Sequence, residues 1–163
     1  DILRFKGPLD EFRLREDSDK PAIFVAGGTG FAPVKSMIEH ALHLGLQRPI
    51  HLYWGGRRPA DLYMLEEAKQ WESGGIKFVP VLSAALPEDH WEGRTGLVHQ
   101  AVLDDFNDLS GHEIYACGTP AMVDAAHRDF TAQRGLPDRS FFQNAFTPTP
   151  EFSSPFQEYK SPF

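Results

Sequence analysis

The chain has 163 residues, 41% of them hydrophobic, which fits one compact domain with its own core and excludes a disordered chain. Its formal net charge is -7, from 23 acidic and 16 basic residues, and its only adjacent basic pair is Arg57-Arg58. That excludes a nucleic-acid footprint and disfavours an anionic membrane surface. The single cysteine, Cys117, excludes an intramolecular disulfide and a thiolate-only metal site, and a reducing cytoplasm is the simplest compartment for it. The seven histidines are scattered without metal-ligand spacing. No apolar run approaches the ~20 residues of a membrane span.

The chain opens without a methionine or a signal peptide, and we read it as a piece of a longer protein, with processing as the alternative. Residues 11–15 form a strand-like piece, followed by a charged linker over 16–20. An apolar run over 22–26 predicts the first strand, and glycines follow it. Val34, Met37, Ile38, Ala41 and Leu42 have core spacing on a helix over 33–44, which Gly45 stops. A second strand covers 50–54, a second helix 60–71 and a third strand 76–82. A short helix falls within 96–106, with Thr95 as its expected cap. A fourth strand covers 113–117 and a long helix 120–134, stopped by Gly135; Phe141 and Phe142 begin a last strand. The segment over 147–163 carries four prolines and three serines without periodicity, and reads as an extended tail.

Short strands alternating with longer helices mean βαβ units. The strands are continuous apolar runs, so both faces are buried. The expected fold is α/β: a doubly wound parallel sheet in three layers, Rossmann-like. Ligands of such sheets sit beyond the carboxyl ends of the strands. That directs attention to the turns at 27–29, 55–58, 83–84 and 118–120.

The first turn reads Gly27, Gly28, Thr29, Gly30, with Pro33 in the first turn of the next helix. Glycines allow close backbone approach, and a helix N-terminus attracts anions, so a diphosphate could sit here. A plain tight turn between strand and helix reads equally well. No P-loop lysine is present, which argues against ATP chemistry. Taken alone, Cys117 reads as a buried structural cysteine. Its place at a strand's carboxyl end, just before Gly118, Thr119 and Pro120, makes it a site candidate. Arg57 and Arg58 follow the second strand, and either pair with a phosphate or belong to a solvated loop. Asp61 reads as a helix-start carboxylate, while Trp91 and the turn at 93–96 could line a site.

Taken together, these segments resemble the ferredoxin-NADP reductase superfamily. Within it the chain is most similar to the bacterial NAD(P)H:flavin reductases and CDP-6-deoxy-glucoseen reductase-type proteins. The matching segments run in family order: GPLDEF at 7–12, AGGTGFAP at 26–33, YWGGR at 53–57, DLY at 61–63, GRTG at 93–96, YACGTPAM at 115–122 and NAF at 144–146. The resemblance implies hydride exchange between NADH or NADPH and FAD or FMN, with electrons passed on to an iron–sulfur or other acceptor protein or domain. It implies that Gly27, Gly28, Thr29, Gly30 and Pro33 hold the pyrophosphate, with Thr29 near the nicotinamide and Cys117 beside its ring. Gly56, Arg57, Arg58, Ser83, Gly118, Thr119, Pro120 and Met122 would line the nucleotide, and Phe146 would face the flavin.

The resemblance also divides the chain. Residues 1–15 would be the last piece of a flavin-binding barrel, 16–146 the NAD(P)-binding domain and 147–163 the tail. The family's Arg-x-Tyr-Ser flavin motif is absent from the chain, so the flavin would be held by a further domain, and a 2Fe-2S domain would likewise lie in other sequence. Asp10 stands where the family usually has glycine, and Asn144 where aspartate is common. NADP-dependent relatives tend to carry a basic residue after the serine ending the third strand; here Ala84 follows Ser83, which tilts the expectation toward NADH. Two other readings remain: a free-standing flavin reductase, and a non-catalytic module that senses NAD(P)H.

Overall fold

The computed structural model describes residues 12–145. It holds one six-stranded parallel sheet with strand order β4-β3-β2-β1-β5-β6. In chain order the elements are β1 (Ala22–Gly27), α1 (Phe31–Leu44), β2 (Ile50–Gly56), α2 (Leu65–Gln70), β3 (Lys77–Leu82), β4 (Arg94–Thr95), α3 (Val98–Asp105), β5 (Glu113–Gly118), α4 (Pro120–Arg134) and β6 (Phe141–Ala145).

The hydrophobic pattern of β1 explains the layers. Successive strand side chains point to opposite faces. Ala22, Phe24 and Ala26 enter one core with α1 residues Val34, Met37 and Ile38 and α2 residue Ala68. Ile23 and Val25 enter the other, with α3 residues Val98, Ala101 and Val102 and α4 residues Val123, Ala126 and Phe130. Both faces of the strand are covered, so its sequence is apolar without alternation. The expected three-layer α/β architecture is the observed one.

The chain builds outward from β1 through β2 and β3 to β4, then returns to place β5 on the other side of β1. The direction of winding therefore reverses between β1 and β5. A crevice opens at such a switch point because the connections leaving the two strands diverge to opposite faces. The turns following β1 and β5 are the two that flank it.

Three local expectations are corrected. Residues 12–15 form no strand. Their backbone is held by side chains instead: the Arg15 N–H donates to the Tyr115 hydroxyl at 3.0 Å, and the Arg15 carbonyl accepts from Arg48 Nη1 at 2.7 Å. Thr95 caps no helix; it lies in β4, paired with Leu82, and α3 starts after Leu97 without a side-chain cap. The expected helix over 60–71 is broken into a 3-10 turn at Pro59–Asp61, the short α2, and a second 3-10 turn at Trp71–Gly74. Asp61 causes the first break. Its Oδ2 accepts the amides of Arg57 at 2.8 Å and Arg58 at 3.1 Å, which closes a separate turn before a helix can form.

Candidate functional site: a glycine-floored cleft at the sheet's switch point

The cleft lies over the carboxyl ends of β1, β2, β3 and β5, with a volume of about 570 Å³. That is within the range of small-molecule and cofactor sites. Gly27 and Gly28 form its floor at β1, Gly55, Gly56 and Arg57 at β2, and Ser83 at β3. Leu97, Val98 and His99 supply the α3 wall; Thr119, Met122 and Ala125 supply the α4 wall.

Two glycines of the first turn are needed for different reasons. Gly28 has φ +52, in the left-handed region, and a Cβ there would meet no protein atom within 4 Å. The left-handed backbone disfavours other residues at that position, and the open space beside it is left for a ligand. Gly30 lies flat against β5. A Cβ there would stand 2.6 Å from the Cys117 carbonyl carbon and 2.9 Å from the Gly118 nitrogen, both rigid backbone. The close packing of the turn on β5 thus depends on a bare backbone at position 30.

The helix ends make the crevice favourable to an anion. Neither α1 nor α4 carries an acidic residue in its first turn. Gly30, at the N-cap of α1, provides no side-chain acceptor; the Phe31 N–H that starts the helix is taken by the Gly28 carbonyl, so the helix dipole is presented through the short 3-10 turn at Gly28–Gly30 that precedes it. At α4, Thr119 Oγ1 accepts from the Met122 N–H at 3.3 Å, and Pro120 occupies the first position, where a missing N–H costs little. Met122 then lies across the ends of β1 and β5; its sulfur would collide with any Cβ at Gly27 or Gly118.

Of the residues singled out from sequence, the structure brings Gly27, Gly28, Gly56, Arg57, Ser83, Thr119 and Met122 together around the cleft. Thr29 is exposed just outside the lining, Gly30 and Gly118 are buried beneath it, and Pro120 starts α4. Pro33 faces a different groove, along α1 beside residues 12–17. Arg58 is turned away. Its Nε and Nη2 hold both carboxylate oxygens of Asp89 at 2.8 and 2.7 Å, and Asp89 also accepts the Leu86 N–H at 2.8 Å. Arg57 has no side-chain partner among the described residues and lines the cleft. Cys117 is fully buried on the α1 side of the sheet, opposite the α3 and α4 walls, and burial pushes its thiol up to about 12. It is therefore an uncharged thiol at neutral pH. Trp91 does not line the cleft; its indole N–H donates to the Arg94 carbonyl at 2.9 Å and fixes the turn before β4. Phe146, residues 7–11 and the tail lie outside the described residues.

Residues 24–128 match the family of oxidoreductase NAD-binding domains. The chain belongs to that family. The NAD-binding domain is 45% identical over 150 residues to a CDP-6-deoxy-L-threo-D-glycero-4-hexulose-3-dehydrase reductase of Yersinia pestis, covering 91% of this chain and 44% of that protein. It is 41% identical over 149 residues to an NAD(P)H-flavin reductase of Aliivibrio fischeri, covering 90% of this chain and 61% of that protein. Among solved structures it superposes on an Amycolatopsis cytochrome P450 reductase with TM-score 0.77 and 34% identity, covering 87% of this chain and 43% of that one. The chain therefore spans less than two thirds of the length of these relatives. No described helix of the NAD-binding domain is long and apolar enough to cross a membrane.

Some of the domain's cleft residues escaped the sequence reading. Ala121 and Ala125 follow Pro120 at helical spacing and share the face of α4 that carries Met122. Projecting α4 from its glycine turn would have found them. His99 gave no such signal. It lies in the first turn of α3, 8% exposed, with Nε2 3.1 Å from Asp129 Oδ2 on α4. That contact ties the two walls of the cleft together.

Proposed function

We propose that the chain binds NADH or NADPH in this cleft and presents it to a flavin held by another domain of the same protein. The observation that carries the reading is the glycine-floored crevice between α3 and the N-terminus of α4, reached by the glycine turn that leads into α1, with no carboxylate in the first turn of α1 or α4. The N-terminus of α4 and the amides of the first turn would hold the diphosphate. Bound there, the nucleotide would supply the hydride, and the flavin would accept it. The protein's part is to bind and to aim; no acid or base among the lining residues is required for the transfer itself. Relatives named as an NAD(P)H-flavin reductase and a dehydrase reductase support this reading over a non-catalytic sensor. Onward transfer to an iron–sulfur centre belongs to the same proposal, and release of free reduced flavin is its alternative.

Cofactor choice follows from the arginines. A 2'-phosphate requires fixed cations, each charge-assisted hydrogen bond being worth roughly 1.5–3 kcal/mol. Arg58 is already committed to Asp89, and Ala84 offers no charge. Arg57 stands in the cleft with the Asp61 carboxylate beside it, which opposes a second anion. We expect NADH to be preferred, or discrimination to be weak. Calorimetric titration with NADH and NADPH checks this. A preference for NADPH beyond about a hundredfold, roughly 2.7 kcal/mol, would refute the assignment. Arg57→Ala should erase whatever added affinity the 2'-phosphate gives NADPH and leave NADH within a few-fold.

The hydride end is assigned to Cys117. Its neutral, polarisable thiol is buried on the α1 side of the sheet at the penultimate position of β5, and its carbonyl packs directly against Gly30 of the first turn. In the protein joined to its flavin domain, Cys117→Ala is expected to slow flavin reduction on the order of a hundredfold, the scale set by a 1 Å misplacement. Nucleotide affinity should stay within a few-fold. Stopped-flow reduction paired with thermal melts separates the roles. An unchanged reduction rate with a lowered melting temperature would leave Cys117 as a core residue alone.

A further inference from the structure

Trp54 lies on β2, fully buried, and no part of the reading above uses it. Its indole N–H donates to the carbonyl of Gly28 at 3.2 Å. The same carbonyl accepts the Phe31 N–H that starts α1. Both acceptor sites of one carbonyl are thereby occupied, one by the helix and one by a side chain from the neighbouring strand. The indole itself is held on two sides. It stacks on Phe31 with ring centroids 3.7 Å apart and planes 7° apart, and the Tyr63 ring meets it at 5.3 Å and 87°. A donor so clamped fixes the direction of the carbonyl it serves.

The peptide plane carries this constraint onward. In a trans peptide the C=O and the next N–H point in opposite directions, and no described bond is cis. With the Gly28 carbonyl held inward on Trp54, the Thr29 N–H is held outward. Gly28 itself sits in the left-handed region at the start of a 3-10 turn over Gly28–Gly30, where a single backbone bond, from the Phe31 N–H, holds its carbonyl. The indole adds a second restraint on that carbonyl, from outside the turn. We propose that Trp54 is a positioning residue for nucleotide binding: it orients the Gly28–Thr29 peptide so that the Thr29 amide faces an anionic diphosphate. This rests on the reading that the diphosphate occupies the first turn.

The test removes the N–H and keeps the ring. One variant is Trp54→Phe; a second places benzothienylalanine at 54, a bicycle of nearly the same shape with sulfur in place of N–H. ADP-ribose, which carries the diphosphate, and adenosine, which lacks it, are titrated against each, by calorimetry and by NMR. One neutral hydrogen bond corresponds to roughly a three- to tenfold change in affinity. Both variants should bind ADP-ribose weaker by about that factor, with adenosine binding within about twofold of the unaltered chain. Melting temperatures report any general loss of packing, which would weaken both ligands together. Unchanged ADP-ribose affinity in the benzothienylalanine variant, or equal weakening of both ligands, would overturn the role and return Trp54 to the core. Failure of the unaltered chain to bind ADP-ribose at all would instead remove the diphosphate reading on which the role depends.

Discussion

Arg48→Met should cost about 3–5 kcal/mol of folding free energy, the usual penalty for stranding a buried charge. The Arg48 side chain is 2% exposed and makes three charge-assisted hydrogen bonds. Its Nε donates to the Lys20 carbonyl at 2.7 Å, Nη1 to the Arg15 carbonyl at 2.7 Å, and Nη2 to Glu113 Oε2 at 3.0 Å. Tyr115 donates its hydroxyl to the same Glu113 oxygen at 2.8 Å. One guanidinium thus fastens the entry segment to the amino ends of β2 and β5. Methionine matches its volume but leaves Glu113 buried without its cation. Urea unfolding reads the loss, and Arg48→Met combined with Glu113→Gln should recover most of it, because an apolar or neutral pair no longer strands a charge.

The pH dependence of that deficit has a definite sign. Burial opposes the Glu113 charge, but hydrogen bonds from Ser18, Tyr115 and Arg48 outweigh it and hold the carboxyl below its ordinary value of 4.5. A depressed carboxyl contributes stability that is present above the unfolded value and lost as pH falls through the folded one. Without Arg48, the buried carboxyl is expected to shift the other way and to favour its protonated form. The deficit should therefore be largest at neutral pH, begin to close as pH falls through the variant's raised value, above 4.5, and finish closing as it falls through the depressed value of the unaltered chain. A deficit independent of pH between 7 and 3 would mean that Arg48 acts through packing alone.

The sequence made the sheet legible because a two-faced parallel strand leaves a continuous apolar run. Ala22 to Ala26 and Ile114 to Cys117 carry that mark, and both are central strands. The two-residue β4 leaves none: Arg94 and Thr95 are polar and pair at the sheet edge, so only the glycines on either side mark the place. The first turn was legible as a whole, through its glycines. What was not legible is which arginine serves the cleft, since adjacency says nothing about direction. Asp89, 31 residues away, decides it by capturing Arg58. The same holds for His99, whose partner Asp129 lies 30 residues further on α4. Elements announced themselves through local periodicity, while the commitments of polar side chains were set by tertiary contacts.

The contrast between Gly30 and Gly28 gives the sharpest test of how the first turn works. Gly30→Ala is expected to destabilise the fold by about 3 kcal/mol, at the upper end of overpacking costs. The new Cβ would press on the Cys117 carbonyl and the Gly118 nitrogen, which are strand backbone and cannot rotate away. The turn must lift off β5 or β5 must yield, and either movement displaces the amides at the start of α1. Nucleotide affinity should fall with stability. Gly28→Val should behave differently. Its Cβ meets no protein atom within 4 Å, so the cost to the fold is limited to the left-handed backbone, about 1–2 kcal/mol. The added side chain would instead project where a ligand must approach, so nucleotide binding should fall more than tenfold while the circular dichroism spectrum is kept. Calorimetry with NADH and urea unfolding on both variants read the two quantities separately. Gly28→Val with unaltered affinity would take this turn out of the binding site. Gly30→Ala with unaltered stability would show that the turn can stand away from β5, and the close packing at Cys117 would then have no part in shaping the cleft.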